Sequence, residues 1–157
     1  MILLRFEKHI KGSAKVDNYI DWIEVQTYAL NTTRDAPNGS TECNSSQARI
    51  SALMLTKAAD QSSADLCCLS ISGVSLGKAT LHIMQAVGAD NNLQPVLEIE
   101  LSDSVISSWA IQGSTTAATV ELISISFKNI SYRCSVFCGS TALSVKKVFD
   151  LQAPSGG

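Results

Sequence analysis

From Gln47 to Gly77 the chain alternates between apolar and polar positions, breaks at a polar turn, and resumes with a different period. Ala48, Ile50, Ala52, Met54 and Thr56 alternate with Arg49, Ser51, Leu53, Leu55 and Lys57. That period of two sends successive side chains to opposite faces of a sheet. Asp60, Ser62 and Ser63 then offer oxygen acceptors to the unpaired amides of a helix start. Ala64, Leu66, Cys67, Cys68, Leu69 and Ile71 give that helix a broad apolar face, and Gly73 is placed as its left-handed stop. The rest of the chain reads as sheet, so a single substantial helix is predicted.

Seven further strand patterns surround this stretch. The first is Ile2 to Glu7, followed by a polar connection around Gly12. Tyr19 to Leu30 is the second, with Trp22, Glu24, Gln26 and Tyr28 on one face and Ile23, Val25, Thr27 and Ala29 on the other. Lys78 to Val87, Val96 to Leu101 and Val105 to Ile111 follow, separated by turns at 88–95 and 102–104. Thr119 to Tyr132 is the longest, with Glu121, Ile123, Ile125 and Phe127 opposite Val120, Leu122 and Ser124. Ser144 to Leu151 is the last. Residues 31–46 form a loop of sixteen residues almost without apolar side chains, a length that is usually functional or mobile. Asn38-Gly39 within it suits a tight turn, so the loop is expected to project as an irregular hairpin.

Eight strands and one helix, with turn signals at regular spacing, predict a mainly β domain. The expected architecture is an antiparallel β-barrel or sandwich of about eight strands with one flanking α-helix. It spans 1–151 as a single domain, with 152–157 a flexible tail.

Composition narrows the function classes. Apolar residues make up 45% and charged residues 17%, as in a folded chain. Twelve Lys and Arg against fourteen Asp and Glu leave a net charge of −2, with no field for nucleic acid or an anionic membrane. Low charge and many Ser and Thr residues suit a surface that assembles with its own copies. No apolar run approaches the ~20 residues of a membrane span, and Met1 to Leu4 is too short for a cleavable secretory signal. The chain is therefore expected in the cytoplasm, and any export takes another route. An odd set of cysteines (Cys43, Cys67, Cys68, Cys134 and Cys138) then argues for unpaired thiols serving as small packing residues.

Gly73-Val74-Ser75-Leu76-Gly77 satisfies the G-x-S-x-G nucleophile elbow, but the elbow needs a strand before the serine and a helix after it. Here the helix comes first, and the two glycines are better read as helix stop and strand start. His9 and His82 stand apart, so no clustered metal ligands and no cofactor are expected, and His82 reads as a surface or edge position. Glu98 and Glu100 share a strand face and mimic a glycosidase pair, but pairing with Lys or Arg on neighbouring strands is the plainer reading. N-x-S/T sequons at Asn31, Asn38, Asn44 and Asn129 carry little weight without a secretory signal. No catalytic residue is assigned.

The ordered pieces resemble the haemolysin-coregulated protein (Hcp) family, the tube subunit of bacterial type VI secretion systems. Ile10-Lys11-Gly12-Ser13, then Trp22-Ile23-Glu24-Val25 and Tyr28, is similar to the family opening, without its Glu after the glycine. Thr56-Lys57-Ala58-Ala59-Asp60-Gln61-Ser62-Ser63 resembles its T-K-x-x-D-x-x-S turn into the single helix. Leu97 to Ser108 resembles its paired strands. Glu121 to Phe127 with Ile130 and Tyr132 is similar to its last long strand, and Val148 to Leu151 to its closing strand.

The resemblance implies a structural protein without enzymatic activity that builds six-membered rings. The rings stack into a hollow tube whose partners are a contractile sheath, a trimeric spike and effector cargo, and which is secreted without a cleaved signal. Under that reading Arg34, Asp35, Pro37, Asn38 and Gly39 are expected at or near the ring-to-ring contact, where a separable surface should be polar. A stand-alone β-barrel that binds a ligand or partner without forming rings stays open as the alternative.

Overall fold

The computed structural model describes residues 1–34, 48–138 and 141–151, and in it the alternating patterns fold as antiparallel strands around one helix. In chain order the elements are β1 (Ile2–Phe6), β2 (Ile23–Val25), β3 (Thr27–Ala29), β4 (Thr32–Arg34), β5 (Ala48–Ile50) and β6 (Leu53–Ala58). The helix α1 (Ser63–Ser72) follows, then β7 (Ala79–Val87), β8 (Asn92–Ser102), β9 (Val105–Gln112), β10 (Val120–Ser126), β11 (Asn129–Cys138) and β12 (Thr141–Asp150). One sheet has the order β12-β11-β8-β7-β1-β2, a second β3-β6-β10-β9, and β4 pairs with β5 alone. All strand pairs are antiparallel.

Strands outnumber the eight expected because three patterns are cut and a short strand opens the polar loop. At Gln26 the chain leaves the six-stranded sheet for the four-stranded one, and the Gln26 N–H donates to the Thr56 carbonyl at 2.8 Å. At Phe127 and Lys128 it crosses back, the Lys128 N–H donating to Ser102 at 3.0 Å. Between β5 and β6 the Ser51 N–H turns to the Asn31 carbonyl at 2.8 Å. Such corners, where one strand serves two sheets, keep the alternation running through the bend, so periodicity does not mark them. The second strand also starts later than Tyr19, because Asn18 and Asp21 hold left-handed backbone (φ 69° and 66°). The turn expected at 88–95 contracts, and β8 takes in Pro95 opposite a register shift after Ile83.

The two large sheets pack face to face as a sandwich with unpaired edges. Leu4, Phe6, Ile23, Leu81, Ile99 and Leu101 from one meet Leu53, Leu55, Ile123 and Ile125 from the other, with Leu66 of α1 filling the end. On the opposite side of the six-stranded sheet a smaller cluster of Leu3, Ala14, Trp22 and Met84 lies under the strap formed by residues 8–22. Gly12 is required there, since a Cβ would overlap the Trp22 backbone. Asp60 forms a turn just before α1, its Oδ1 accepting the Ser62 N–H at 2.8 Å, while Ser62 at the N-cap, expected as an acceptor, makes no side-chain cap bond and donates its hydroxyl to the same carboxylate. Gly73 (φ 65°) stops the helix as expected, its N–H donating to Leu69 at 3.1 Å. Residues 152–157 lie outside the described residues.

Candidate assembly surfaces

Two charged residues sit in phase with the core. Lys57 continues the buried series Leu53, Leu55, and Glu121 begins the series Ile123, Ile125; they face each other across β6 and β10 and are 1% and 0% exposed. Lys57 Nζ donates to Glu121 Oε2 at 2.5 Å, to Asp60 Oδ1 at 2.9 Å and to the Ala58 carbonyl at 2.9 Å. Glu121 also accepts the Ser63 hydroxyl at 2.7 Å and the Trp109 indole N–H at 2.8 Å. Burial pushes the Glu121 carboxyl up, but the bonds from Lys57, Ser63 and Trp109 outweigh it and hold its pKa below the ordinary value. Asp60 follows the same balance, with Ser62 and Lys57 lowering it. Among the described residues no buried side-chain nitrogen or oxygen lacks a hydrogen-bond partner, and the network ties the start of α1 to the sheet.

A second cluster crosses the strap side of the six-stranded sheet. Glu24, Leu3, His82, Glu98, Arg133 and Lys146 are successive cross-strand neighbours in one row. His82 is not the surface or edge position expected: β7 is an inner strand, and the ring is enclosed by Tyr19 and Trp22. The Tyr19 hydroxyl lies 3.0 Å from Nδ1, and Glu98 Oε1 lies 3.2 Å from Nε2. Burial lowers the His82 pKa, with Glu98 opposing and Arg5 assisting, which favours the neutral ring. Nε2–H then donates to Glu98 and Nδ1 accepts from Tyr19. Glu98 and Glu100 pair with cations on neighbouring segments, Arg133 at 3.5 Å and Lys78 at 3.1 Å, rather than with each other.

A third surface is apolar and exposed. In β11 and β12, Tyr132, Cys134, Val136, Leu143, Val145 and Phe149 all point to the core side of their sheet, in register with buried Ile99 and Leu101. The four-stranded sheet does not reach them. Leu143, Val145 and Phe149 are 66%, 64% and 61% exposed, and no residue of β12 is buried. A groove of about 580 Å³, lined by Tyr28, Ile83, Leu97, Tyr132, Cys134 and Val136, runs into this side of the sheet. A contiguous apolar face of this kind marks an interaction site.

The residues expected at the ring-to-ring contact are only partly placed. Arg34 is exposed at the end of β4, opposite Ala48 of β5, which forms the base of the hairpin anticipated in the polar loop. Asp35, Pro37, Asn38 and Gly39 lie outside the described residues. The four described cysteines are free thiols, as expected, but Cys67 is half-buried and Cys68, Cys134 and Cys138 are exposed rather than core packing, and Cys43 lies outside the described residues. Gly73 to Gly77 joins α1 to β7, so the elbow's strand–serine–helix order is absent. Among the described residues no group of three or more His, Cys, Asp or Glu is arranged to hold a metal, and no helix is long and apolar enough to cross a membrane.

The β11–β12 face was not singled out in the sequence, although Leu143, Val145 and Phe149 alternate there. Alternation shows which side is apolar, not whether the opposing layer extends far enough to cover it.

Comparison with known proteins decides the family. The model of the family described as "Type VI secretion system effector, Hcp" matches residues 4–133. The chain belongs to the Hcp family. No curated protein matches it. Among solved structures it is similar to one described as a type six secretion system protein, at TM-score 0.83 and 19% identity over 96% of this chain and 94% of that one. Hcp1 from Salmonella typhimurium aligns at TM-score 0.78 and 20% identity, covering 97% and 95%. A type VI secretion system effector from Yersinia pestis aligns at 0.73 and 18%, covering 96% and 99%. The sandwich with one helix is thus the Hcp fold, in a family of structural secretion proteins.

Proposed function

We propose that this Hcp protein is a structural subunit of the type VI inner tube, with six copies closing into a ring and rings stacking into a hollow conduit. The observation that carries this reading is the core side of β11 and β12. It is apolar by the same alternation that builds the core, and it is left uncovered within one chain. A ring supplies the cover, because a head-to-tail contact joins two different patches and closes when its rotation is ~60° per copy. The groove beside β11 is open to solvent and β12 is exposed along its whole length, which suits a protein surface better than an enclosed small ligand. That favours assembly over the stand-alone binding barrel.

In this reading Arg34 and the loop residues Asp35, Pro37, Asn38 and Gly39 serve the contact between rings. Sheath, spike and effector cargo are the partners of the finished tube, which leaves the cell without a cleaved signal. The role is mechanical and needs no catalytic group.

Multi-angle light scattering with negative-stain imaging tests the proposal. The expected species has the mass of six chains, 16.7 kDa each, and forms annular particles. A monomer at every concentration, or a closed dimer, would overturn it.

A further inference from the structure

A ring contact needs a second patch, and α1 carries one. Residues Ala64, Asp65, Cys68, Ile71 and Ser72 form one continuous exposed helix face, and Ile71 is 81% exposed. Val74 extends it at 47%. This helix packs on β9, an edge of the four-stranded sheet, whereas β12 is an edge of the six-stranded sheet. The two apolar patches therefore sit on different elements of different layers, as a head-to-tail contact demands and a self-complementary one does not.

Their charges also match. The helix contains one charged residue, Asp65, and it is exposed. The core-side face of β11 and β12 contains one as well, Lys147, flanked by Val145 and Phe149. A lone anion and a lone cation, each in an otherwise uncharged apolar patch, form a pair that fixes register when the patches meet. Dimensions agree too: a helix of ten residues, ~15 Å long, fits within a hairpin ~33 Å long.

We propose that the outer face of α1 from one copy lies across the core-side face of β11–β12 of the next, with Asp65 opposite Lys147. This rests on the tube-subunit reading and names both halves of its ring contact.

Charge reversal and cross-linking test it together. Lys147→Asp and Asp65→Lys are each expected to abolish annular particles, and the double variant to restore them, with circular dichroism unchanged because both side chains are exposed. In a chain with Cys43, Cys134 and Cys138 replaced by serine, Val145→Cys is expected to oxidise with native Cys68 into a ladder of linked multimers. Adding Cys68→Ser should remove that ladder. Annular particles that survive both single reversals, or cross-links stopping at dimers that persist without Cys68, would overturn this contact while leaving the ring intact. Absence of annular particles from the unaltered protein would overturn the ring reading and this contact with it.

Discussion

The seam around Lys57 and the hairpin of β11 and β12 invert each other. At the seam, charged side chains occupy core positions and are paired and hydrogen-bonded within the chain. In the hairpin, apolar side chains occupy core-side positions and stand exposed, with none of the described residues covering them. Both violate the simple rule of apolar inside and polar outside. The first violation is resolved internally and ties α1 to the sheet. In the proposed ring the second is resolved by a neighbouring copy, so it bears on function where the first bears on structure.

The largest effect should follow from breaking the seam. Lys57→Met leaves Glu121 buried without its cation and should cost about 3–5 kcal/mol, read from the urea midpoint of the monomer. Pairing it with Glu121→Leu should recover a large part of that loss, because an apolar pair of similar volume removes the stranded charge. Recovery of nothing would mean that the network holds α1 by more than charge matching.

Strap packing comes next. Gly12→Ala forces a Cβ against the Trp22 backbone and should cost about 1–3 kcal/mol in the same measurement. A loss of Tyr19–His82 contact should accompany it, visible in the histidine resonances.

Acid should separate two groups by pH. His82 has a lowered folded pKa, so the unfolded chain binds its proton first. Its contribution is complete above about pH 6.5 and declines as pH falls toward the folded value. Asp60 and Glu121 are also lowered, so their contribution is complete above the ordinary carboxylate range and is lost below about pH 4. Unfolding midpoints between pH 7 and 5 should therefore show a shallow decline that His82→Asn abolishes. The steeper decline at lower pH should persist in that variant.

The smallest effect on folding should come from the hairpin, with the greatest consequence for assembly. Leu143→Ser with Val145→Ser should move monomer stability by no more than about 0.5 kcal/mol per site, since both are exposed. Annular particles should nevertheless disappear. A large stability loss would show that the face is covered within the chain.

Much of this was legible in the sequence. The alternation of Leu53, Leu55 and Lys57 and of Glu121, Ile123 and Ile125 located both strands and sorted their faces, while which face is buried, with its two charges, emerges only from the packing of the sheets. The period change after Asp60 located the single helix, and Gly73 its end. Corners at Gln26 and Lys128 were not legible, because alternation continues through a strand that changes sheets. The enclosure of His82 was hidden because Tyr19 and Trp22 reach it from an irregular strap sixty residues away in sequence. Exposure of Cys68 and Cys134 depends on which layers overlap, a property of tertiary packing rather than of local pattern.

The central claim is that β12 is bare in one chain and covered in the ring. Amide hydrogen exchange over residues 141–150, compared between dilute monomer and assembled particles, tests it most directly. Rapid exchange of the unpaired β12 edge is expected in the monomer and marked slowing in the assembly, together with slowing over α1. Equal exchange in both states, with annular particles present, would contradict it.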